Sequence, residues 1–320
     1  MPLTIRFLGT AASRPTIERG VPALAVVREG ETLLFDCGEG TQRQMMRYGI
    51  SFALNDIFVT HWHHDHFLGL PGLLRTLSLQ GRTDPLRVWG PRGGARMLKQ
   101  AELLGNERLS FPVELTELTP GQPIARGEYE IAPYAVQHGA PGALGYAIVE
   151  HERRGRFNPD LARELGVPEG PMWGELHRGR PVTLPDGRVI TAETLVGPTR
   201  AGRTVVYTGD TRPCESTIAI AKHADLLIHD ATFGDDEADR ATDTGHSTAR
   251  EAASVAAKAG VRRLVLTHVS ARYSRDAAEL EQQARSVFRA TTFARDGLEL
   301  DVPFAEGADA ADAAPEAAAR

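Results

Sequence analysis

Between Val59 and Leu70 the chain reads VTHWHHDHFLGL, which places four histidines within six positions, directly after an apolar run. At a strand end alternate side chains share a face, so His61 and His63 point the same way. Asp65 and His66 come where the chain turns into LGLPGLL, which reads as a helix start. One pair of side chains can therefore hold one metal while the next pair holds a second. Imidazole and carboxylate donors without a thiolate favour zinc, with manganese or iron as alternatives. A surface cluster without metal is the competing reading, and the density of nitrogen and oxygen donors counts against it.

A pair of first-row ions needs about seven protein ligands and a bridging water. In layered α/β folds, sites gather at the carboxyl ends of strands. Three apolar runs end in a suitable residue: YAVQ in His138, TVVYTG in Asp210 and LVLT in His268. Any one of them alone could be a polar strand end with no further role. Together with the first cluster they point to ligands. A fourth run ends in His229-Asp230 and is the main rival for a ligand place. It can equally supply a group that orients a ligand.

The ordered set THWHHDH, His138, TGD and LTH resembles the metallo-β-lactamase superfamily. Finer matches resemble one branch, the ribonuclease Z family of tRNA 3′-processing endonucleases. These are Phe7-Leu8-Gly9-Thr10 with Pro15, Thr16 and Arg19; the segment DCGEGTQ from Asp36; the Gly166–Leu176 region followed by DGRVI; His246-Ser247-Thr248; and Thr267-His268-Val269-Ser270-Ala271-Arg272-Tyr273. The resemblance spans about residues 3 to 304. It departs from the usual pattern at His64, commonly a small residue and expected to be a non-ligand, and in the N-terminal loop PTIERG.

The resemblance implies a four-layer αββα sandwich with an inserted substrate-binding arm, and two zinc ions per subunit. His61, His63 and His138 would bind the first ion, and Asp65, His66 and His268 the second. Asp210 would bridge both, because a carboxylate has two oxygens to offer. Asp65 is also the expected acceptor for the proton of the attacking water. His246 is the expected general acid, and Ser247 could cap the Ala-rich helix that follows, whose amides would form an anion site. Arg272 suits a phosphate through its planar fork. Ser270, Ser247 and Thr248 complete the expected substrate contacts near the metals. The implied substrate is precursor tRNA, cut to leave a 3′-hydroxyl and a 5′-phosphate, and the implied assembly is a homodimer.

The layout is consistent with one catalytic domain over residues 1–304. Two similar halves each carry short β-rich runs, a ligand-bearing turn and then a helix, such as Gly94–Lys99 or Ala249–Ala259. An apolar content of 42% is ample for a core at this length. The stretch from about 150 to 182 breaks the rhythm, being rich in Arg, Gly and Pro. Its plain reading is a solvated loop. The resemblance makes it the arm that grips tRNA, with Arg153, Arg154 and Arg156 as contacts. Residues 305–320 are low in complexity and are expected to be disordered.

No apolar stretch reaches about 18 residues, so no membrane span is expected. The N-terminus reads as a strand rather than a signal segment. Two cysteines in a chain this long indicate free thiols and a cytoplasmic setting. The net charge of −6 is awkward for an enzyme of nucleic acid, but residues 301–320 account for −4 of it. Arg82, Arg87, Arg92, Arg96 and Lys99 cluster with one acid, Asp84, among them and form a candidate RNA patch. Two rivals stand beside the endonuclease: a superfamily hydrolase of a small phosphodiester, thioester or lactone, and a non-enzymatic RNA-binding protein that keeps the fold.

Overall fold

The computed structural model describes residues 2–104 and 108–305. The C-terminal segment expected to be disordered lies, from residue 306 onward, outside the described residues. The β-branched and aromatic runs form strands, as their periodicity requires. In chain order these are β1 (Leu3–Gly9), β2 (Ala23–Arg28), β3 (Glu31–Phe35), β4 (Asp56–Phe58), β5 (Leu86–Gly90), β6 (Val113–Glu117), β7 (Ile124–Ala125) and β8 (Tyr129–Ala135). They continue with β9 (Leu144–Glu150), β10 (Val182–Thr183), β11 (Val189–Ile190), β12 (Thr204–Tyr207), β13 (Leu226–Asp230), β14 (Leu264–Thr267), β15 (Thr291–Phe293) and β16 (Glu299–Asp301). One seven-stranded sheet has the order β16-β1-β2-β3-β4-β5-β6, and a second has β15-β14-β13-β12-β9-β8-β7.

The period of two decides what each face buries. Ile5 and Phe7 of β1, Phe35 of β3, Tyr146 of β9, Tyr207 of β12 and Ile228 of β13 meet in one cluster between the sheets. On the opposite face of the first sheet, Leu8, Leu34 and Ile57 pack with Leu73, Leu77 and Leu98 from helices Leu70–Leu79 and Gly94–Leu103. On the outer face of the second, Val206, Leu227 and Leu266 pack with Val255, Ala256 and Leu280 from helices Ala249–Ala259 and Ala278–Arg285. Each large apolar side chain so buried contributes roughly 1.5–3 kcal/mol. The outcome is the αββα layering that the resemblance implied.

Strands β3 to β6 run parallel, as do β12 to β15. Their carboxyl ends deliver Asp36, the segment 59–66, Asp210, Asp230 and His268 to one region. Among the described residues no helix is long and apolar enough to cross a membrane.

Residues 150–202 form a second compact unit. Ala162, Val167, Leu176, Val182, Leu184, Ile190 and Leu195 are buried in it, and Phe157, Met172 and Trp173 pack against them. The unit therefore has a core of its own and is not merely a solvated loop. It runs about twenty residues past the stretch that composition marks, because the β10–β11 hairpin and helix Ala192–Leu195 supply half of that core.

Candidate metal centre

The cluster is built on a short loop. β4 ends at Phe58, the chain runs extended through His61 and His63, and the single turn His64–Phe67 carries Asp65 and His66. His61, His63, His138 and Asp210 each place a ligand atom within 4.8 Å of the others, and so do Asp65, His66 and His268. Asp210 lies between the two groups. Its Oδ1 is 3.2 Å from both His66 Nε2 and His268 Nε2. Its Oδ2 is 3.6 Å from His61 Nε2 and 3.9 Å from His138 Nε2.

The opposite ring edges are occupied by protein. Nδ1 of His66 bonds Asp36 Oδ2 at 2.9 Å, that of His138 bonds Gly245 O at 2.9 Å, and that of His268 bonds Thr232 Oγ1 at 2.9 Å. His61 Nδ1 lies 3.1 Å from Thr60 Oγ1. Metal-binding histidines are commonly held in this way, with one nitrogen fixed and the other presented. His66 Nε2, His268 Nε2 and Asp210 Oδ1 are buried and have no hydrogen-bond partner among the described residues. Buried polar atoms without partners are costly. Three of them converging, with imidazole and carboxylate chemistry, fit divalent cations.

The centre's carboxylates and imidazoles act strongly on one another: burial lowers His66, but the Asp210 and Asp36 charges outweigh it and hold the ring well above the usual histidine value. Burial raises the Asp210 carboxyl, but the charges of His268 and His66 outweigh it and hold the group well below the usual carboxylate range. Burial also raises Asp65, and the His268 hydrogen bond with the His66 charge reverses that, so it stays ionised. Burial and neighbouring imidazoles lower His61 well below the usual value and keep it neutral, as a ligand nitrogen must be. Two non-glycine residues here, Asp36 and His268, have positive φ of 57° and 61°. Such strain concentrates at functional sites.

Two carboxylates at this centre have no place in the sequence-based ligand set. Asp36, fully buried, accepts from Thr60 N at 2.8 Å and Tyr207 Oη at 2.8 Å as well as from His66. Its position after the buried run of β3 is the signal that could have marked it. Asp230 lies within reach of Asp210, His246 and His268. It already accepts from Thr232 N and Oγ1, Thr211 N and His246 Nδ1, at 2.7–3.0 Å. A carboxylate so fully engaged positions its neighbours. His229 shares the outer side of β13 with Leu227 and is in none of the ligand groups.

His246 sits in the same region, with its Nδ1 2.8 Å from Asp230 Oδ2. Burial lowers it, yet the charge and hydrogen bond of Asp230 push it up to about 9. Arg212 holds its loop, donating to His246 O at 2.6 Å and to both oxygens of Glu251. The expected cap is corrected by one residue. Thr248 is the N-cap, forming a capping box with Glu251, whereas Ser247 Oγ donates to Thr211 O at 2.6 Å. Ser247 and Thr248 are both buried, and Ser270 is half-buried.

His64 bonds Ser13 O at 2.8 Å and joins no ligand group. Arg272 is exposed and pairs with Glu237. In the second unit Arg154 and Arg156 are exposed and Arg153 is half-buried. Arg154 Nη1 donates to His177 O at 2.9 Å. Cys37 and Cys214 are both free.

Comparison with known proteins adds the family. A family model described as a beta-lactamase superfamily domain matches residues 31–200 and 195–269. A Ribonuclease Z of Gemmatimonas aurantiaca is 66% identical over 307 residues, covering 96% of this chain and 98% of that protein. A Ribonuclease Z of Myxococcus xanthus is 51% identical, covering 94% of this chain and 98% of that protein. The crystal structure of human tRNase Z, short form, superposes with a TM-score of 0.69 at 28% identity, covering 94% of this chain and 100% of that one. With identity at this level over nearly the whole length, the chain belongs to the ribonuclease Z family of the β-lactamase superfamily.

Proposed function

We propose that this chain is a zinc-dependent endoribonuclease that removes 3′ trailers from precursor tRNA, leaving a 3′-hydroxyl on the tRNA and a 5′-phosphate on the trailer. The observation that carries the reading is the division of Asp210, whose two oxygens face different ligand groups. It is joined by relatives named Ribonuclease Z over nearly the whole chain.

His61, His63 and His138 would hold one zinc ion, Asp65, His66 and His268 a second, and Asp210 both. When bound, such ions supply Lewis acidity, lowering the pKa of water and offsetting charge on the phosphate. The protein's own groups do the rest. Asp65, held ionised, accepts a proton from the attacking water. The water oxygen bonds to phosphorus as the bond from phosphorus to the 3′ oxygen breaks. Asp230 clamps Nδ1 of His246, so the other ring nitrogen gives a proton to that leaving oxygen. Arg272 would exchange Glu237 for a substrate phosphate, beside Ser270, with Ser247 and Thr248 shaping the loop. Arg153, Arg154 and Arg156 would grip the tRNA, and the enzyme would act as a homodimer.

The test is Asp210→Ala. It should abolish cleavage of precursor tRNA and lower bound zinc to less than one ion per chain, by metal analysis. Cleavage retained by this variant would overturn the bridging role. Fast turnover of a small ester by wild type, with precursor tRNA ignored, would favour a small-molecule hydrolase.

A further inference from the structure

The cations between residues 82 and 99 separate into two kinds. Arg82 is committed to the fold: it donates to Leu54 O and Pro85 O, each at 2.7 Å, and lies over the Phe111 ring. Arg87 pairs with Asp56 at 2.7 Å. Arg92, Arg96 and Lys99 are exposed and make no ion pair among the described residues.

Helix Gly94–Leu103 buries Gly94, Leu98 and Ala101, which leaves Arg96 and Lys99 on its outer face. Residues three apart on a helix have Cβ atoms about 5–6 Å from each other. The nearby carboxylate Glu117 is occupied, accepting from Gly93 N at 2.9 Å and Ala95 N at 3.4 Å. At the far end Arg75 donates to Glu102 O at 2.7 Å and to Leu104 O, so the helix is anchored at both ends.

Its near end is fastened to the metal centre. Trp62, between His61 and His63, donates from Nε1 to Pro91 O at 3.0 Å. Its indole lies so close to Gly90 and Gly94 that a Cβ on either would meet Cζ2 at 2.8 or 2.4 Å. A Cβ on Gly142, in the loop after His138, would meet Pro91 Cβ at 3.7 Å. Pro91 therefore adjoins both segments that carry the His61–His63–His138 group, and Arg92 is the next residue.

We infer that Arg92, Arg96 and Lys99 form a phosphate rail for the RNA strand flanking the scissile bond, starting at the rim of that histidine group. The inference rests on the endoribonuclease reading and adds a second RNA contact, separate from residues 150–202. In a chain of net charge −6, unpaired cations beside the reacting centre are what an RNA backbone would find.

The experiment compares wild type with R92A/R96A/K99A on precursor tRNA between about 50 and 200 mM salt. The triple variant should raise KM about tenfold and change kcat by less than about threefold. The slope of log affinity against log salt should flatten by about two, since each phosphate contact contributes roughly 0.7–0.9. R92K/R96K should keep the wild-type slope. K222A/K258A/R289A removes three exposed cations elsewhere and should change neither KM nor slope. A triple variant that cleaves precursor tRNA with wild-type KM and slope overturns the rail alone. Wild-type protein that neither binds nor cleaves precursor tRNA overturns the rail and the functional reading together.

Discussion

Asp36 Oδ2 lies 2.9 Å from Nδ1 of His66, and both side chains are fully buried. The pair joins the end of β3 to the loop after β4, and it turns Nε2 of His66 towards Asp210. The carboxylate is spent on orientation and donates nothing to the metal groups.

Asp36→Asn keeps the shape and removes the charge. We expect metal affinity to fall about 10- to 100-fold, the usual effect of losing a carboxylate behind a ligand histidine. Competition with a chromophoric chelator reads this directly. An unchanged affinity would mean that Asp36 serves the fold only.

His246→Ala should lower kcat by about 10²- to 10⁴-fold, the range for loss of a general acid. Bound metal should stay at the wild-type level, because the groups His61, His63, His138, Asp210 and Asp65, His66, His268 are complete without His246. Single-turnover cleavage and metal analysis on one preparation separate the two effects. Loss of metal in step with activity would make His246 a ligand.

Asp56 reports on stability rather than activity. It accepts from Arg87 at 2.7 Å and Trp89 at 2.6 Å, and pairs with Arg126 at 2.7 Å. Burial raises its carboxyl, but the bonds from Arg126, Trp89 and Arg87 outweigh that and hold it below the usual value. Asp56→Asn should cost about 2–4 kcal/mol at neutral pH in urea unfolding, because Arg87 loses its carboxylate and Arg126 keeps only Glu31 among the described residues. A depressed carboxyl stabilises above its unfolded value of about 3.9 and loses that contribution as pH falls through the folded value. The gap between variant and wild type should therefore be constant from pH 7 to about 5 and narrow below about 4. A gap that stays constant down to acid pH would rule out this ionised cluster.

The two thiols should differ in reactivity. Burial pushes Cys37 up to about 12. Burial also raises Cys214, but hydroxyl hydrogen bonds from Ser216 and Thr217 bring it below the usual value. A disulfide reagent should modify Cys214 in the folded protein and Cys37 only after denaturation. Modification of both thiols at equal rates would contradict this packing.

Much of the centre was legible before folding. His61, His63, Asp65, His66, His138, Asp210 and His268 each follow an apolar run, and strand ends in a layered sheet converge. Asp36 and Asp230 were harder to place. Nothing local separates a carboxylate that holds a histidine from one that holds a metal, until the partners across the sheet are known. Thr248 rather than Ser247 caps its helix because a cap depends on one residue's dihedral angles. Arg82 and Arg87 read as part of a basic patch, since their commitments to Leu54, Pro85 and Asp56 are made by chain 28 or 31 residues earlier or by the local turn.

The most direct measurement is cleavage of a 5′-labelled precursor tRNA with a short 3′ trailer, with ends mapped at single-nucleotide resolution. We expect one discrete cut at the base of the trailer, a 3′-hydroxyl on the tRNA product, and loss of the cut with a chelator or in Asp210→Ala. Intact precursor alongside rapid turnover of a simple phosphodiester, or cleavage that survives metal removal, would contradict it.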